Sequence, residues 1–248
     1  QLDAYFAAFV IPDTLFQLLI VGALSVAFIP VYTRYLKKSN NEANHLVNAS
    51  LNLFFIILFV ITSVLFIFAL PVSRLIAHFP AAEAHLMSNL MRVMLVSQLF
   101  FTLSAFLTGV IQAHRRFLIP AIAPIFYNLG TIFGIVLLTP HFGIYGPAIG
   151  IVLGAFLHVL VQFPLAHHLG YRYRPLLDLK NEGVATIRRL MLPRSAALAL
   201  TQLESWVGLF FSSLLSAGSL SLLNFSRQLY TLPISLFGIS LGQASFPT

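Results

Sequence analysis

Three ionisable residues lie well inside long apolar stretches of the sequence, and they are the first candidates for chemistry. They are Asp13, Glu204 and Arg227. A charged side chain on a membrane helix costs about 2.5–3.5 kcal/mol on insertion scales, so it normally faces a bundle interior or a water-filled cavity. Arg227 therefore predicts a site for an anion, and Asp13 and Glu204 are expected to tune that site or to bind a coupling cation. The open alternative is a structural ion pair between Glu204 and Arg227.

Uncharged polar side chains in the same apolar stretches are further candidates for lining a cavity. Gln17, Gln228 and Asn128 belong to this group, although a lone amide on a membrane helix also serves as a contact between helices. The eight histidines are scattered, and no pair has the spacing of metal ligands. The sequence contains no phosphate-binding loop and no Ser/His/Asp set. It therefore favours transport over catalysis, and predicts neither a metal nor a cofactor.

The composition is that of a helical membrane protein. Of the 248 residues, 58% are hydrophobic and 8% are charged, and the mean hydropathy is +0.91. A soluble domain has about 25% charged residues. The apolar runs are continuous rather than alternating, which argues against a β-barrel. The net charge of +7 lies mostly in short connections, so membrane orientation explains it better than binding to nucleic acid.

Seven apolar spans are each long enough to cross about 30 Å of hydrocarbon, at about 1.5 Å per helical residue. They cover residues 4–33, 50–72, 88–112, 118–139, 144–166, 190–215 and 219–247. Kinks in the first and last spans are expected at Pro12, Pro30, Pro233 and Pro247. The sixth and seventh spans form a hairpin that turns at residues 216–219. Glu204 and Arg227 are then each about 15–20 Å from the turn along their helices, and Asp13 lies at a comparable depth.

Basic residues predict the orientation. Eleven of the 14 Lys and Arg residues fall in or directly after the connections near residues 34–48, 113–117 and 167–189. The positive-inside rule therefore predicts that these three connections are cytoplasmic. Arg74 and Arg92 belong to the opposite side.

The connection at residues 169–189 divides the chain into a five-span lobe, residues 1–168, and the start of a second lobe, residues 190–248. Within it, residues 178–191 are predicted to form a short amphipathic helix on the membrane surface. A short pattern, P-x-[ST]-L-F, occurs at residues 12–16 and again at 233–237. A parallel repeat of this kind favours two similar helical lobes.

Several segments, in this order, resemble the MurJ (MviN) lipid II flippases. Residues 3–12 with 22–31 resemble the second helix of that family, and residues 109–124 with Asn128 resemble the connection of its fourth and fifth helices. Residues 216–221, followed by Leu232-Pro233, Phe237-Gly238 and Phe246-Pro247, resemble its seventh and eighth helices. The resemblance extends over nearly the whole chain.

The resemblance implies a transporter of the multidrug/oligosaccharidyl-lipid/polysaccharide exporter superfamily, with two six-helix lobes and a further pair of helices. The chain would then be a fragment that lacks the first helix and everything after the eighth. The implied substrate is lipid II, a polyprenyl pyrophosphate with a sugar–peptide head, moved across the bacterial inner membrane by alternating access. Membrane lipids are further partners, and no nucleic acid is expected.

The site residues transfer incompletely. Asp3 corresponds to an acidic residue at the outer start of the family's second helix, and is a further candidate for the substrate site. The family's eighth helix usually has an arginine where this chain has Gln228. Arg227 lies one residue earlier, about 100° round the helix. The family's Arg-Arg pair in the second helix is replaced by Phe16 and Gln17.

Two alternative functions follow from these differences. One is export of another lipid-linked oligosaccharide, or of a drug, by a protein of the same superfamily. The other is a membrane scaffold in envelope synthesis that transports nothing.

Overall fold

All regular structure in the described residues is helical. The computed structural model describes residues 1–21 and 24–234, with side chains for residues 1–18 and 27–234. The helices are α1 (Leu2–Leu15), α2 (Leu24–Lys38), α3 (Asn40–Ile67), α4 (Ala69–Ile76), α5 (Ala81–Ala113), α6 (Leu118–Phe133), α7 (Thr139–Phe142), α8 (Tyr145–His168), α9 (Glu182–Ser213) and α10 (Ser219–Pro233). A π-helical segment, Phe16–Val21, follows α1, and a second, Gly134–Leu138, joins α6 to α7. The predicted all-α membrane fold is confirmed.

Each predicted span coincides with one helix or with consecutive helices. Within the described part, four segments are long and apolar enough to cross a membrane by length and composition: α3, α5, residues 118–142 and α8. The first span comprises α1, the π-helical segment and α2. The end of the seventh span, including Phe237, Gly238, Phe246 and Pro247, lies outside the described residues, as does Gly22.

Several helices extend beyond their apolar spans. The predicted connection at residues 34–48 is reduced to Ser39, which separates α2 from α3. The Ser39 hydroxyl accepts a hydrogen bond of 3.1 Å from the Asn41 N–H and caps α3. The first turns of α3 are polar and project past the apolar span. Hydropathy therefore located the membrane-embedded part of this helix, but not where the helix begins.

The irregular turn of the first span falls at Phe16–Val21, just after Pro12. Pro12 and Pro30 lie inside α1 and α2, whereas Pro233 is the last residue of α10. A π-helical turn widens the helix locally and occurs frequently at functional sites. Gln17 lies within this turn.

Two apolar clusters hold the helices together, one at each end of the bundle. The cluster at the predicted cytoplasmic end contains Phe28, Leu46, Phe106 and Ile187. The cluster at the opposite end joins small residues of α1 to methionines of α5, and also includes Leu209 of α9 and Leu220 of α10. Helix α9 therefore contributes to both clusters.

The helix pair α6–α8 is packed through glycine. A Cβ atom on Gly130 would lie 2.4 Å from the Cα of Gly154, and one on Gly134 would lie 2.5 Å from the Cα of Gly150. Real Cβ atoms do not approach so closely, so these positions require glycine. Three residues separate Gly130 from Gly134 and Gly150 from Gly154, which is the small-xxx-small pattern that allows membrane helices to approach.

Residues 170–176 are bound to α3 by a row of asparagines. The Asn44 amide donates to the Gly170 carbonyl at 2.9 Å, and the Asn48 amide donates to the Arg172 carbonyl at 2.8 Å. The Asn52 amide donates to two carbonyls, those of Arg174 at 3.0 Å and Leu176 at 2.8 Å. In return, the Arg172 and Arg174 N–H groups donate to the side-chain oxygens of Asn44 and Asn48, both at 3.0 Å. We call this set of contacts the asparagine ladder.

The asparagine ladder can form because the spacing of the asparagines along α3 matches the spacing of alternate residues along the linker. Four helical residues advance about 6.0 Å, and two extended residues advance about 6.6 Å. Each asparagine amide pairs with the linker backbone in the way that a peptide group of a neighbouring strand would. Nearby, His45 donates from Nε2 to Asp178 at 2.8 Å, and this hydrogen bond holds the pKa of Asp178 below its usual value. The linker is thus fixed to the first lobe.

The linker between the lobes is shorter than residues 169–189. Helix α9 begins at Glu182, and Asn181 caps it by accepting from the Gly183 N–H at 2.9 Å. Residues 182–191 are therefore the first turns of a 32-residue helix rather than a separate amphipathic helix. Val184, Ile187 and Met191 are buried in the cluster at the predicted cytoplasmic end. The division into two lobes itself stays a prediction.

Candidate functional site

Asp3 connects the start of α1 to the start of α10. Its carboxylate accepts hydrogen bonds from the Gly218 N–H (2.6 Å), from the Ser221 N–H (2.8 Å) and from the Ser221 hydroxyl. The residue before α10 is Gly218, which has a positive φ of 93° and no side chain to cap the helix. Asp3 therefore supplies the cap from another helix, and its charge lies at the positive end of the α10 dipole. Asp3 is only 8% exposed.

The Asp3 contact fixes a reference point from which the depth of the charged residues along α1 and α10 can be measured. Helices α1 and α10 both run away from it. Arg227 is six residues beyond Ser221, about 9 Å, and Asp13 is ten residues beyond Asp3, about 15 Å. Glu204 lies nine residues before the end of α9, about 13 Å from the same end of the bundle. The three side chains therefore share a zone on one side of the Asp3 contact.

Arg227 lies on the side of α10 whose first residues pack against the bundle. Leu220, Asn224 and Arg227 follow one another at helical spacing along one stripe. Leu220 is buried, Asn224 is half-buried and Arg227 is exposed. The stripe thus leaves the apolar cluster and ends in a cation. Gln228 lies on the adjacent stripe with Ser221 and is also exposed.

Asp13 lies on a stripe of α1. The earlier part of this stripe, closer to the Asp3 contact, faces α10. The ring of Phe6, two turns earlier on this stripe, meets Phe225 of α10 with 5.5 Å between ring centroids. Asp13 itself is exposed, and Gln17, one turn further on, lies beside its carboxylate. Tyr127 of α6 is close enough to Asp13 to interact with it electrostatically. The structure therefore brings Asp13 and Gln17 together.

Glu204 and Arg227 form no ion pair with each other in the described part of the chain. Both side chains are exposed. On α9, Gln202 and Trp206 face α1, and Glu204 lies about 200° from each of them round the helix. Glu204 therefore points away from α1. The structure gives no support to the alternative of a Glu204–Arg227 ion pair.

The remaining candidate, Asn128, is exposed on α6. It lies about 200° from Gly130, so it points away from the α6–α8 glycine contact. No hydrogen bond joins Asn128 to the other candidates among the described residues. In the same part of the chain, no group of three His, Asp or Glu side chains is arranged to hold a metal ion.

The sequence did not reveal a polar contact between α1 and α9. The Trp206 Nε1–H donates to the Thr14 hydroxyl at 2.9 Å, and that hydroxyl approaches the Gln202 Oε1 at 3.5 Å. Beyond it, the Ser195 hydroxyl donates to the Leu18 carbonyl at 2.8 Å. The available signal was Trp206, the single tryptophan of the chain, since a buried indole N–H usually finds an acceptor. These bonds position α9 next to the π-helical turn that carries Gln17.

The whole chain, residues 1–248, matches the family model described as "Lipid II flippase MurJ". A "Probable lipid II flippase MurJ" of Borreliella burgdorferi is 26% identical over 245 residues, which are 99% of this chain and 48% of that protein. One of Bdellovibrio bacteriovorus is 31% identical over 254 residues, 99% of this chain and 49% of that protein. The "Lipid II flippase MurJ" of Burkholderia cenocepacia is 28% identical over 261 residues, 99% of this chain and 50% of that protein. The chain spans about half the length of these curated relatives.

A solved structure described as "Lipid II flippase MurJ, inward closed conformation" has a similar fold. The TM-score is 0.80 at 24% sequence identity, and the match covers 98% of this chain and 51% of that chain. The arrangement of helices α1 to α10 is thus that of one half of a known transporter fold.

Proposed function

Because the chain belongs to the lipid II flippase MurJ family, we propose that it is part of a transporter that moves lipid II across the bacterial inner membrane. Lipid II is a polyprenyl pyrophosphate that carries a sugar–peptide head. The proposed mechanism is alternating access, in which the two lobes rock about a substrate site near the middle of the membrane. Transport of this kind forms and breaks no covalent bond, so the protein is proposed not to be an enzyme.

The Asp3 cap is the observation that carries this proposal. It joins α1, of the predicted first lobe, to α10, of the predicted second lobe, at one end of these helices, whereas Arg227, Asp13 and Glu204 further along are exposed. With the predicted orientation, the closed end is the outer one. An inward-facing transporter requires a site that is closed at the outer end and has its charged residues on the cytoplasmic side of that closed end. The conformation named for the similar solved structure, "inward closed", supports the same interpretation.

Arg227 is proposed to bind the pyrophosphate, because a guanidinium forms charge-assisted hydrogen bonds to phosphate oxygens. Asp13 and Glu204 would limit the positive charge of the site, and either one offers a carboxylate to a coupling cation. Gln17, Gln228 and Asn128 are proposed to contact the uncharged head. Asp3, whose oxygens are occupied by α10, is proposed to act when the lobes separate. The lipid tail would remain among membrane lipids.

Two other functions stay open for the whole protein. A flippase for another lipid-linked oligosaccharide, or a drug exporter, would use the same rocking motion with a different head-group site. The displacement of the arginine from position 228 to Arg227 favours this alternative. A membrane scaffold without transport is the second possibility. The cost of placing Arg227 and Glu204 in a membrane counts against it, since a scaffold gains nothing from charges that form no ion pair among the described residues.

The test uses the full-length protein in cells whose own lipid II flippase can be switched off. Lipid II exposed on the outer face would be measured for the wild type, for Arg227→Ala and for Arg74→Ala. Arg74 is an exposed arginine on α4 and is not one of the proposed site residues, so it serves as the control for loss of one positive charge. We expect the wild type and Arg74→Ala to restore export, and Arg227→Ala to fail at equal membrane abundance.

The possible outcomes separate the proposals. Export by both the wild type and Arg227→Ala would retain the flippase and remove Arg227 from the substrate site. No export by an abundant wild-type protein would reject lipid II as the substrate. Accumulation of a different lipid-linked sugar in cells that lack the protein would then favour the first alternative, and normal export of every such lipid would favour the scaffold.

A further inference from the structure

A groove on the surface of the first lobe combines an apolar lining with one cation. It has a volume of about 500 Å³ and lies between the end of α3, the first half of α5 and the start of α8. Phe66, Val96, Ile149 and Val152 contribute to its apolar wall, and Arg92 and Asn89 provide its polar part. Its volume is within the range of about 300–1,000 Å³ that is usual for sites of small ligands.

The groove opens onto an apolar surface of the first lobe. Phe66 is 46% exposed and Val96 is 40% exposed. Helix α8 continues past the groove with Leu153, Phe156 and Leu160, all of them exposed apolar side chains. Since α3, α5 and α8 are long and apolar enough to cross a membrane, we expect the apolar side chains exposed on them to contact the bilayer. Phe66 is one residue from the end of α3, so the groove begins near the end of the bundle that is predicted to be outside.

Arg92 is held in place but not neutralised. Its Nε donates to the Phe66 carbonyl at 3.0 Å, and its Nη1 donates to the Asn89 Oδ1 at 2.8 Å. Its guanidinium carbon also lies 5.8 Å from the centre of the Phe66 ring. No carboxylate pairs with Arg92 among residues 1–18 and 27–234. A guanidinium has five N–H groups, so three donors remain available after these two hydrogen bonds.

We propose that this groove binds an anionic phospholipid of the outer leaflet. Its phosphate would accept from the free N–H groups of Arg92, and one acyl chain would lie along Val96, Ile149 and Val152. A half-buried arginine at the edge of the hydrocarbon is costly without an anion, and a phosphate offers two oxygens for a bidentate pair with the planar guanidinium. A zwitterionic head would bring its own cation towards Arg92. We therefore expect the groove to select a head group with a net negative charge.

The hydrogen bond from Arg92 to the Phe66 carbonyl also caps the end of α3, because the last carbonyls of a helix lack partners within it. A cap alone requires no lipid. The two roles therefore differ in one measurable property, which is the dependence of binding on the charge of the lipid head.

The test measures lipid retention by native mass spectrometry on the full-length protein, titrated with phosphatidylglycerol or with phosphatidylcholine. We expect the wild type to retain one phosphatidylglycerol in preference to phosphatidylcholine. Arg92→Gln should weaken this retention about tenfold or more, the effect of about 1.4 kcal/mol. Arg74→Gln removes an arginine from the same predicted side but outside the groove, and it should bind as the wild type does.

A second variant keeps the cap intact. Val96→Trp fills the apolar part of the groove without altering Arg92, and Val96 is exposed enough to accept a larger side chain. It should also reduce the retention of phosphatidylglycerol, and it carries the test should Arg92→Gln fail to fold. Retention in Arg92→Gln or Val96→Trp that equals the wild type would overturn the proposal, as would equal retention of the two lipids by the wild type. None of these results depends on whether the protein transports lipid II.

Discussion

The carboxylate of Asp3 caps helix α10 through Ser221, a residue 218 positions later in the chain. One oxygen of Asp3 accepts from both the N–H and the hydroxyl of Ser221, and the other accepts from the Gly218 N–H. A carboxylate at a helix N-terminus gains from the hydrogen bonds and from the helix dipole. The two helices belong to the two predicted lobes, so the bond is a candidate for the element that breaks when the lobes separate.

Loss of the Asp3 carboxylate should open the outer end of the bundle. Hydrogen bonds to a charged group contribute about 1.5–3 kcal/mol, and about 1.4 kcal/mol changes an equilibrium tenfold. The chain has no cysteine, so Gln228→Cys introduces one thiol into this part of the protein. We expect a membrane-impermeant maleimide added outside to label it at least about tenfold more in Asp3→Ala, with Asp3→Asn in between.

Ser221→Ala, which removes the hydroxyl but not the N–H, should increase the same labelling by a smaller factor. Ser226, exposed on α10, provides the matched control, and Ser226→Ala should label as the wild type does. Equal labelling of wild type and Asp3→Ala would show that the cap does not close the outer end.

Removal of Asn48 should release the linker from α3. Asn48 is 1% exposed, and it bonds the carbonyls of Asn44 and Arg172 and the N–H of Arg174. Each buried group left without a partner costs about 1–3 kcal/mol. In the detergent-solubilised protein, Asn48→Ala should speed tryptic cleavage after Arg172 by about tenfold or more.

Asn41→Ala is the control for this experiment, because the Asn41 side chain is exposed. Its rate of cleavage should match the wild type. If Asn48→Ala were cleaved no faster than Asn41→Ala, the asparagine ladder would contribute little to holding the linker.

Two glycines should respond to alanine in opposite directions. A Cβ on Gly154 would lie 2.4 Å from the Tyr127 carbonyl oxygen, whereas one on Gly208 meets nothing within 4 Å. Gly154→Ala should destabilise the protein by about 1–3 kcal/mol through overpacking. Gly208→Ala, inside α9, should stabilise it by about 0.5–1 kcal/mol. Thermal unfolding in detergent measures both, and a Gly154→Ala variant as stable as the wild type would contradict the packing of α6 on α8.

The bond between Thr14 and Trp206 should appear as a coupling energy. Thr14→Val and Trp206→Phe each remove one partner of a hydrogen bond between α1 and α9. Each should lower the stability by about 1 kcal/mol, and the double variant should lower it by less than the sum of the two. Unfolding of the four proteins gives the coupling. Strict additivity would mean that the two side chains do not interact.

Much of the fold could be predicted because the bilayer imposes it. A run of about 20 apolar residues crosses the hydrocarbon as a helix, so seven spans and an all-α class follow from composition and periodicity. The hydropathy signal stops at the membrane boundary, however. It placed the second span at residue 50, although α3 begins at Asn40, and it gave no sign that α9 begins at Glu182.

The candidate site could be predicted in part. The cost of charge in a membrane singled out Asp13, Glu204 and Arg227, and their roles in binding stay predictions. The sequence suggested substrate binding for Asp3, and the structure finds its oxygens occupied by Gly218 and Ser221. The pairing of Asn44, Asn48 and Asn52 with the linker had a visible signal, an asparagine at every fourth position of a helix. Without the structure, that signal had no partner.

The sequence alone determined which segments enter the membrane and which residue types are too costly to be there without a reason, because both depend on transfer free energies of single residues. Only the tertiary structure decided that Asp3 meets Ser221, that Thr14 meets Trp206 and that Arg92 has no carboxylate beside it in the described residues. Those relationships depend on how helices far apart in the chain pack and on the depth at which each polar group lies. A hydrogen bond forms within about 3 Å, and spacing along one helix cannot fix the distance to another.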